Sequence, residues 1–252
     1  MSATTIVWFR HDLRLDDNPA LAAAAARGVV VPVFIWAPDE EAPWAPGAAS
    51  RWWLHRSLEK LSAALAKAGA PLVIRRGGSL ETLRKLAREV GATHVTWNRR
   101  YEPAVVNRDT AIKKALAADG LAVESFNGGL LYEPAHVATK EGRPYQVFTP
   151  FWRALLAREE PATPVAGPKK LLPAPKAAAG LAVEALDLLP SIPWAGTMEK
   201  TWSPGEAGAR KRLDTFLDRA LADYGTERDR PDHAGTSALS PHLHFGEISP
   251  RR

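Results

Sequence analysis

A doubly wound α/β domain around a five-stranded parallel sheet is the fold predicted for the first half of this sequence, and three observations predict it. Short runs rich in β-branched and aromatic residues alternate with longer runs of helical period across residues 1–130, the pattern of a sheet covered by helices on both faces. Helix start and stop signals fall at the joins: Asn18 before Pro19, Ser50 before a Leu-rich stretch, and Gly28, Gly69 and Gly120 at the far ends. Each connection holds a helical run, so the strands it joins are parallel and linked by crossovers.

Taken in order, residues 5–9 read as a buried strand, followed by the polar loop HDLRLDDNP. Asn18 caps and Pro19 opens an Ala-rich helix that ends near Gly28, and residues 29–36 form the second strand. Ser50 is the expected cap of a long helix whose Leu54, Leu58, Leu61 and Leu65 fall at helical spacing until Gly69 stops it. Residues 71–75 are the third strand, 79–90 a helix and 94–97 the fourth strand; Pro103 opens a helix running to Gly120, before a fifth strand at 121–126.

Sheets of this kind bind ligands beyond the C-terminal ends of their strands, near the point where strand order reverses. That makes residues 10–18, 37–49 and 98–102 the candidate loops. No G-x-G-x-x-G occurs, which argues against a dinucleotide in this domain. The run Arg75-Arg76-Gly77-Gly78-Ser79 could hold an anion, but a strand turning into a Ser-capped helix explains it without one.

Prolines at 161, 164, 168, 173, 175, 190, 193 and 204 mark residues 131–204 as an interdomain linker, a semi-rigid strap rather than a floppy tether. Helical pattern returns at residue 205, with Ala209, Leu213, Phe216, Leu217, Ala220 and Leu221 forming one apolar stripe. Ser249-Pro250 is a further helix start followed only by Arg251 and Arg252. The expectation is that residues 205–252 are the truncated start of a helical domain, unable by itself to hold a ligand tightly.

The 252 residues carry a net charge of +5, a mild lean toward anionic partners with no concentrated basic patch. The absence of cysteine excludes disulfides, thiolate metal sites and cysteine nucleophiles. The first residues hold no long apolar run, so neither a signal peptide nor a membrane span is expected and a cytoplasmic location is the default. His233, His242 and His244 lack acidic or thiol partners at metal-site spacing, so packing and loop roles are expected and no metal. Most of the nine tryptophans, Trp8, Trp36, Trp52, Trp53 and Trp97 among them, lie in apolar elements and read as packing residues.

The stretch 235–252, GTSALSPHLHFGEISPRR, concentrates the remaining chemistry. Gly235, Thr236, Ser237, Ser240 and Pro241 suit an irregular turn with outward N–H groups at a helix start, with Ser240 as cap. This is a phosphate cradle or an ordinary capped turn.

Residues 236–243, TSALSPHL, resemble the flavin-phosphate segment of the DNA photolyase and cryptochrome family. WFRHDLRLDDNPAL at 8–21 is similar to that family's N-terminal strand and loop, and VFTPFWRA at 147–154 to its approach to the second domain. The likeness spans essentially the whole chain, in order, and is greatest to a class I cyclobutane pyrimidine dimer photolyase. It implies a Rossmann-like antenna domain, a linker, and the start of an all-helical domain that binds FAD.

The implied activity is light-driven repair of cyclobutane dimers in DNA by electron transfer from reduced FAD. A cryptochrome photoreceptor or a 6-4 photolyase would share the motif, and a non-catalytic nucleotide-binding α/β module is the rival of another class. Carried over residue by residue, the resemblance implies that Tyr224, Thr236, Ser237, Ala238, Leu239 and Ser240 bind FAD and that Arg228 reaches the backbone of UV-damaged DNA. It also makes Glu102 a catalytic carboxylate near the lesion, while a salt bridge to Arg99 or Arg100 is the other reading. Tyr101-Glu102 is followed by Pro103-Ala104-Val105, without the Asn-Glu pair common in folate-carrying members. The antenna chromophore is thus left open among methenyltetrahydrofolate, a deazaflavin, another group or none. A monomer is expected, with no membrane partner.

Overall fold

The computed structural model describes residues 3–41, 44–174 and 178–252. In chain order it runs β1 (Ala3–Phe9), α1 (Pro19–Arg27), β2 (Gly28–Trp36), α2 (Ala48–Ala68), β3 (Val73–Arg76), α3 (Ser79–Val90), β4 (His94–Asn98), α4 (Pro103–Ala118) and β5 (Ala122–Phe126). There follow α5 (Phe148–Leu156), β6 (Leu172–Pro173), α6 (Gly196–Thr201), α7 (Glu206–Arg219), α8 (Tyr224–Glu227) and α9 (Ser240–His244).

The main sheet has the order β3-β2-β1-β4-β5 with every pair parallel. The chain winds outward from β1 to β3, then crosses back to β4, so strand order reverses between β1 and β4. Period-two alternation in β1 sends Val7 and Phe9 to one face and Ile6 and Trp8 to the other. On the first face, α1 and α2 bring Leu21, Leu58, Leu61 and Leu65. On the second, α3 and α4 bring Leu83, Leu86, Ile112 and Leu116. Two covered faces explain why β1 and β2 read as continuous apolar runs. Leu58 and Leu65 are fully buried, each stabilising the fold by about 1.5–3 kcal/mol.

The local signals were honoured unevenly. Asn18 caps α1, accepting from the Leu21 N–H at 3.1 Å. Gly69, at φ +103°, ends α2 as expected. That helix begins at Ala48 behind Gly47, two residues before the expected Ser50 cap. Ser79 is likewise inside α3, and its N–H and hydroxyl both donate to Glu40, at 2.7 and 2.6 Å. The anion at the Arg75–Ser79 turn is therefore this chain's own carboxylate.

The proline-rich segment contributes more than a surface strap. Leu171, Val183, Leu186, Leu188 and Ala195 are buried in the core beneath α2, and β6 pairs with Val29 and Val30 of β2. β3 pairs only with Val33–Trp36, so β6 fills the edge that β3 leaves open, a place where Pro173 costs no ladder bond. By contrast α7 buries only Ala209, and Leu217 and Leu221 remain about half exposed. Among the described residues no helix is long and apolar enough to cross a membrane.

Candidate functional site

Two loci at the C-terminal edge of the sheet meet at α9. The first is a cleft of about 530 Å³ at the switch point, lined by the ends of β1 and β2, by Pro38, Glu41, Trp44 and Gly47 in the loop after β2, by Arg100 and Glu102 in the loop after β4, and by His244 and Phe245. Its size suits a small-molecule ligand. Apolar walls come from Phe34, Ile35, Trp36, Leu54 and Val105, and charge comes from Arg10, Arg100, Arg108, Glu41 and Glu102. All three candidate loops contribute.

Arg10 is nearly buried, its guanidinium 4.5 Å from the Trp8 ring centre and paired with Asp109 at 2.5 Å. Burial pushes its pKa down, against the pull of Asp109; a cation there is kept by that partner and by the aromatic face. The His11 and His244 rings meet at a tilt of 57°, with centres 4.8 Å apart. Burial first, then the Arg100 cation, push the His11 imidazole down to about 3, and the same two causes lower His244. Both rings are neutral at pH 7, so the pair presents aromatic faces and hydrogen-bonding nitrogens rather than charge.

Glu102 stands at the N-terminus of α4 on the cleft rim. Burial pushes its carboxyl up, but the Arg100 guanidinium at 2.8 Å, and after it a hydrogen bond from the backbone at Glu102 itself, outweigh that and hold it at about 2. It is an ionised acceptor there, paired with Arg100. Arg99 turns away to Glu133, leaving Arg100 as the ion-pair partner.

The second locus is the hydroxyl-rich turn. Thr236 and Ser240 are exposed and Ser237 is half-buried. Among the described residues, no hydrogen bond engages the hydroxyls of Thr236, Ser237 or Ser240. Ala238 takes a left-handed conformation, φ +49°, and Leu239 after it is right-handed at φ −85°, ψ −7°. That alternation aims successive N–H groups into one concavity, an anion-binding nest. A left-handed alanine is a local strain of about 1–2 kcal/mol. The cap is Leu239, not Ser240, which is the first residue of α9 and keeps its hydroxyl free. Unspent donors in a nest fit the diphosphate of a dinucleotide.

Tyr224 is the first residue of α8, its ring 38 % exposed and edge-on to Phe216 at 5.6 Å. Arg228 follows on the same side, its guanidinium 5.9 Å from the Tyr224 ring and loosely paired with Asp229 at 3.7 Å. Gly235 returns the chain against α8, where a Cβ would meet the Glu227 Cβ at 2.5 Å. Turn, Tyr224 and Arg228 thus belong to one surface segment.

Sequence reasoning missed the residues that dock α9 on the α/β domain. Arg14, 2 % exposed, donates to the carbonyls of Gly246, Asp17, Gly128 and Asp16. Leu13 N–H bonds the Phe245 carbonyl at 3.1 Å, and Phe245 itself joins the core. Glu247 is fully buried against α2. A charged residue in a strand-end loop, and a glutamate after an aromatic-glycine pair, were the only signals available. The acidic partners unseen in the spacing are Glu227 for His233 and Glu247 for His242.

Comparison with known proteins agrees with this arrangement. The chain is 49 % identical over 252 residues to a deoxyribodipyrimidine photo-lyase of Agrobacterium fabrum, covering 99 % of this chain and 52 % of that protein. It is 40 % identical over 257 residues to cryptochrome-2 of Arabidopsis thaliana, covering 100 % of this chain and 42 % of that one. The crystal structure of a bacterial class III photolyase from Agrobacterium tumefaciens superposes with a TM-score of 0.94 at 47 % identity, covering 100 % of this chain and 52 % of that chain. That neighbour is titled a class III photolyase, where the sequence resemblance had pointed to class I. The chain spans about half the length of the curated relatives it matches. With residues 5–170 also matching the profile described as DNA photolyase, this chain belongs to the DNA photolyase family.

Proposed function

We propose that this chain supplies the light-gathering α/β domain and the flavin-diphosphate turn of a protein that repairs cyclobutane pyrimidine dimers in DNA with light. The observation that carries the reading is the nest at Ala238 and Leu239 with the unspent hydroxyls of Thr236, Ser237 and Ser240 around it. FAD, when bound, supplies the photochemical electron transfer that splits the cyclobutane ring. This chain's residues hold and orient it: the three hydroxyls and the N–H groups of the nest donate to the diphosphate, and Tyr224 offers an exposed ring beside them. Arg228 contacts a DNA phosphate, positioning the duplex without reading its sequence.

The cleft between β1 and β4 is the seat of an antenna chromophore, methenyltetrahydrofolate or a deazaflavin. Trp36 and Phe34 provide stacking faces, while Glu102 and Arg100 provide an acceptor and a donor at the rim. Glu102 is then a chromophore-binding acceptor rather than a catalytic acid.

In the full-length protein, replacing Thr236, Ser237 and Ser240 together with alanine lowers flavin bound per protein and light-dependent dimer repair in parallel. Unchanged flavin absorbance would refute the cradle. The similarity to Arabidopsis cryptochrome-2 favours photoreception as the second reading: a flavin-loaded wild type that repairs no dimer under light would select it.

A further inference from the structure

Glu247 has no part in the chemistry above, yet it is fully buried and saturated with donors. One carboxylate oxygen accepts from Trp53 Nε1 at 3.0 Å, from Gly205 N–H at 2.7 Å and from Ser57 Oγ. The other faces His242 Nδ1 at 2.5 Å. Trp53 and Ser57 lie on α2, Gly205 is the residue before α7, and His242 lies in α9. One side chain therefore gathers three segments far apart in sequence. The surroundings are aromatic: Trp53 stacks on Phe245 at 6.0 Å and meets the His242 ring edge-on at 5.1 Å. In so apolar a place each missing donor leaves part of a charge unanswered, so the geometry tolerates little movement.

The position matters because α9 has only five residues, too few to hold a conformation unaided. Where the phosphate turn sits is fixed by what grips the chain just after it. The Leu13 and Arg14 contacts tie that stretch to the loop after β1, and Glu247 reaches α2 and the start of α7 at once.

We propose that Glu247 is a positioning residue for the phosphate turn, clamping α9 to α2 and to the head of α7 so that the nest is formed before flavin arrives. This rests on reading the turn as the flavin-diphosphate cradle. Pre-forming a site removes an ordering cost from binding, so loosening the clamp weakens flavin affinity in protein that is otherwise folded. A purely structural role would lower the melting temperature and leave the affinity of the folded molecules unchanged.

Conservative variants make the idea separable from misfolding. Glu247→Gln keeps one carbonyl oxygen for the Trp53, Ser57 and Gly205 donors. Its amide NH₂ then faces His242, which must accept at Nδ1 and carry its proton on Nε2, an atom with no hydrogen-bond partner among the described residues. Trp53→Phe removes one donor and keeps the stack.

The test is FAD titration into flavin-stripped full-length protein, with far-ultraviolet circular dichroism and melting of the apo form alongside. Glu247→Ala raises the FAD Kd about tenfold or more, while Glu247→Gln and Trp53→Phe raise it roughly threefold. Wild-type affinity in folded Glu247→Ala, with the triple hydroxyl variant depleted of flavin, overturns the clamp and leaves the cradle standing. Should Glu247→Ala not fold, wild-type affinity in both milder variants has the same force. A wild-type protein that takes up no FAD removes the cradle reading, and the clamp with it.

Discussion

Replacing Gly246 with alanine tests whether α9 is docked on the α/β domain as described. Gly246 sits at φ +63°, and a Cβ added there would lie 2.1 Å from the His11 carbonyl oxygen and 2.6 Å from Asp12 Cα. Both are backbone atoms, so no side chain can swing aside. One term is fixed and adds to one of two others. The left-handed conformation costs an alanine about 1–2 kcal/mol relative to glycine. Overpacking against fixed atoms adds about 1–3 kcal/mol. If the segment backs away instead, it gives up the Arg14 Nη1 bond to the Gly246 carbonyl at 2.9 Å, a charge-assisted bond of about 1.5–3 kcal/mol. Relief of the clash and loss of the bond are alternatives, so the docked state is destabilised by about 2–5 kcal/mol. Undocking withdraws Phe245 from its stack on Trp53. The assay is urea unfolding of the 252-residue chain followed by tryptophan fluorescence and near-ultraviolet circular dichroism. The expected result is a lower midpoint and a changed tryptophan signal before unfolding. An unchanged midpoint with wild-type near-ultraviolet bands would refute the close approach and the docking built on it.

Acid should loosen the cleft. His11 titrates at about 3 when folded against an ordinary value of 6.5, so between those values the unfolded chain binds the extra proton. Its contribution is complete above about pH 6.5 and falls progressively as pH drops toward 3. The urea midpoint therefore declines from pH 7.5 to pH 5, and His11→Gln shows a shallower decline; equal slopes would remove His11 as the cause. Arg228→Ala in the full-length protein weakens binding to damaged and undamaged duplex about equally and lowers the salt dependence by about one phosphate contact. A loss confined to the lesion would assign it to base readout instead.

How much of this was legible in the sequence depended on the range of the interaction concerned. Asn18 could be read as a cap because the donor it accepts from, the Leu21 N–H, is local, and β1 because its alternation is a property of consecutive residues. Ser79 was misassigned because its helix is closed by Glu40, which lies on the far side of β3 in sequence. The prolines of residues 131–204 gave correct notice that helix and ladder bonds are scarce. They say nothing about whether side chains are buried, and Leu171, Val183 and Leu186 reach the core without any period to betray them.

The site divides along the same line. The hydroxyls of the turn are contiguous, so a phosphate cradle or an ordinary capped turn could be named from TSALS alone, and the family resemblance pointed to the cradle. What holds them in place could not: Arg14 and Glu247 act between segments that only folding brings together. Glu102 shows both ranges, since the family resemblance pointed to catalysis while its sequence neighbours pointed to a salt bridge with Arg99 or Arg100. Its pairing with Arg100 holds the carboxyl ionised, on the rim of a cleft that His244, from the other end of the chain, also lines. A short helix is thus shared between the two loci, its first residue in the phosphate turn and its last in the cleft. Any shift of α9 must move both at once, which is why the anchors just after it, and not the hydroxyls of the turn, set the spacing between them.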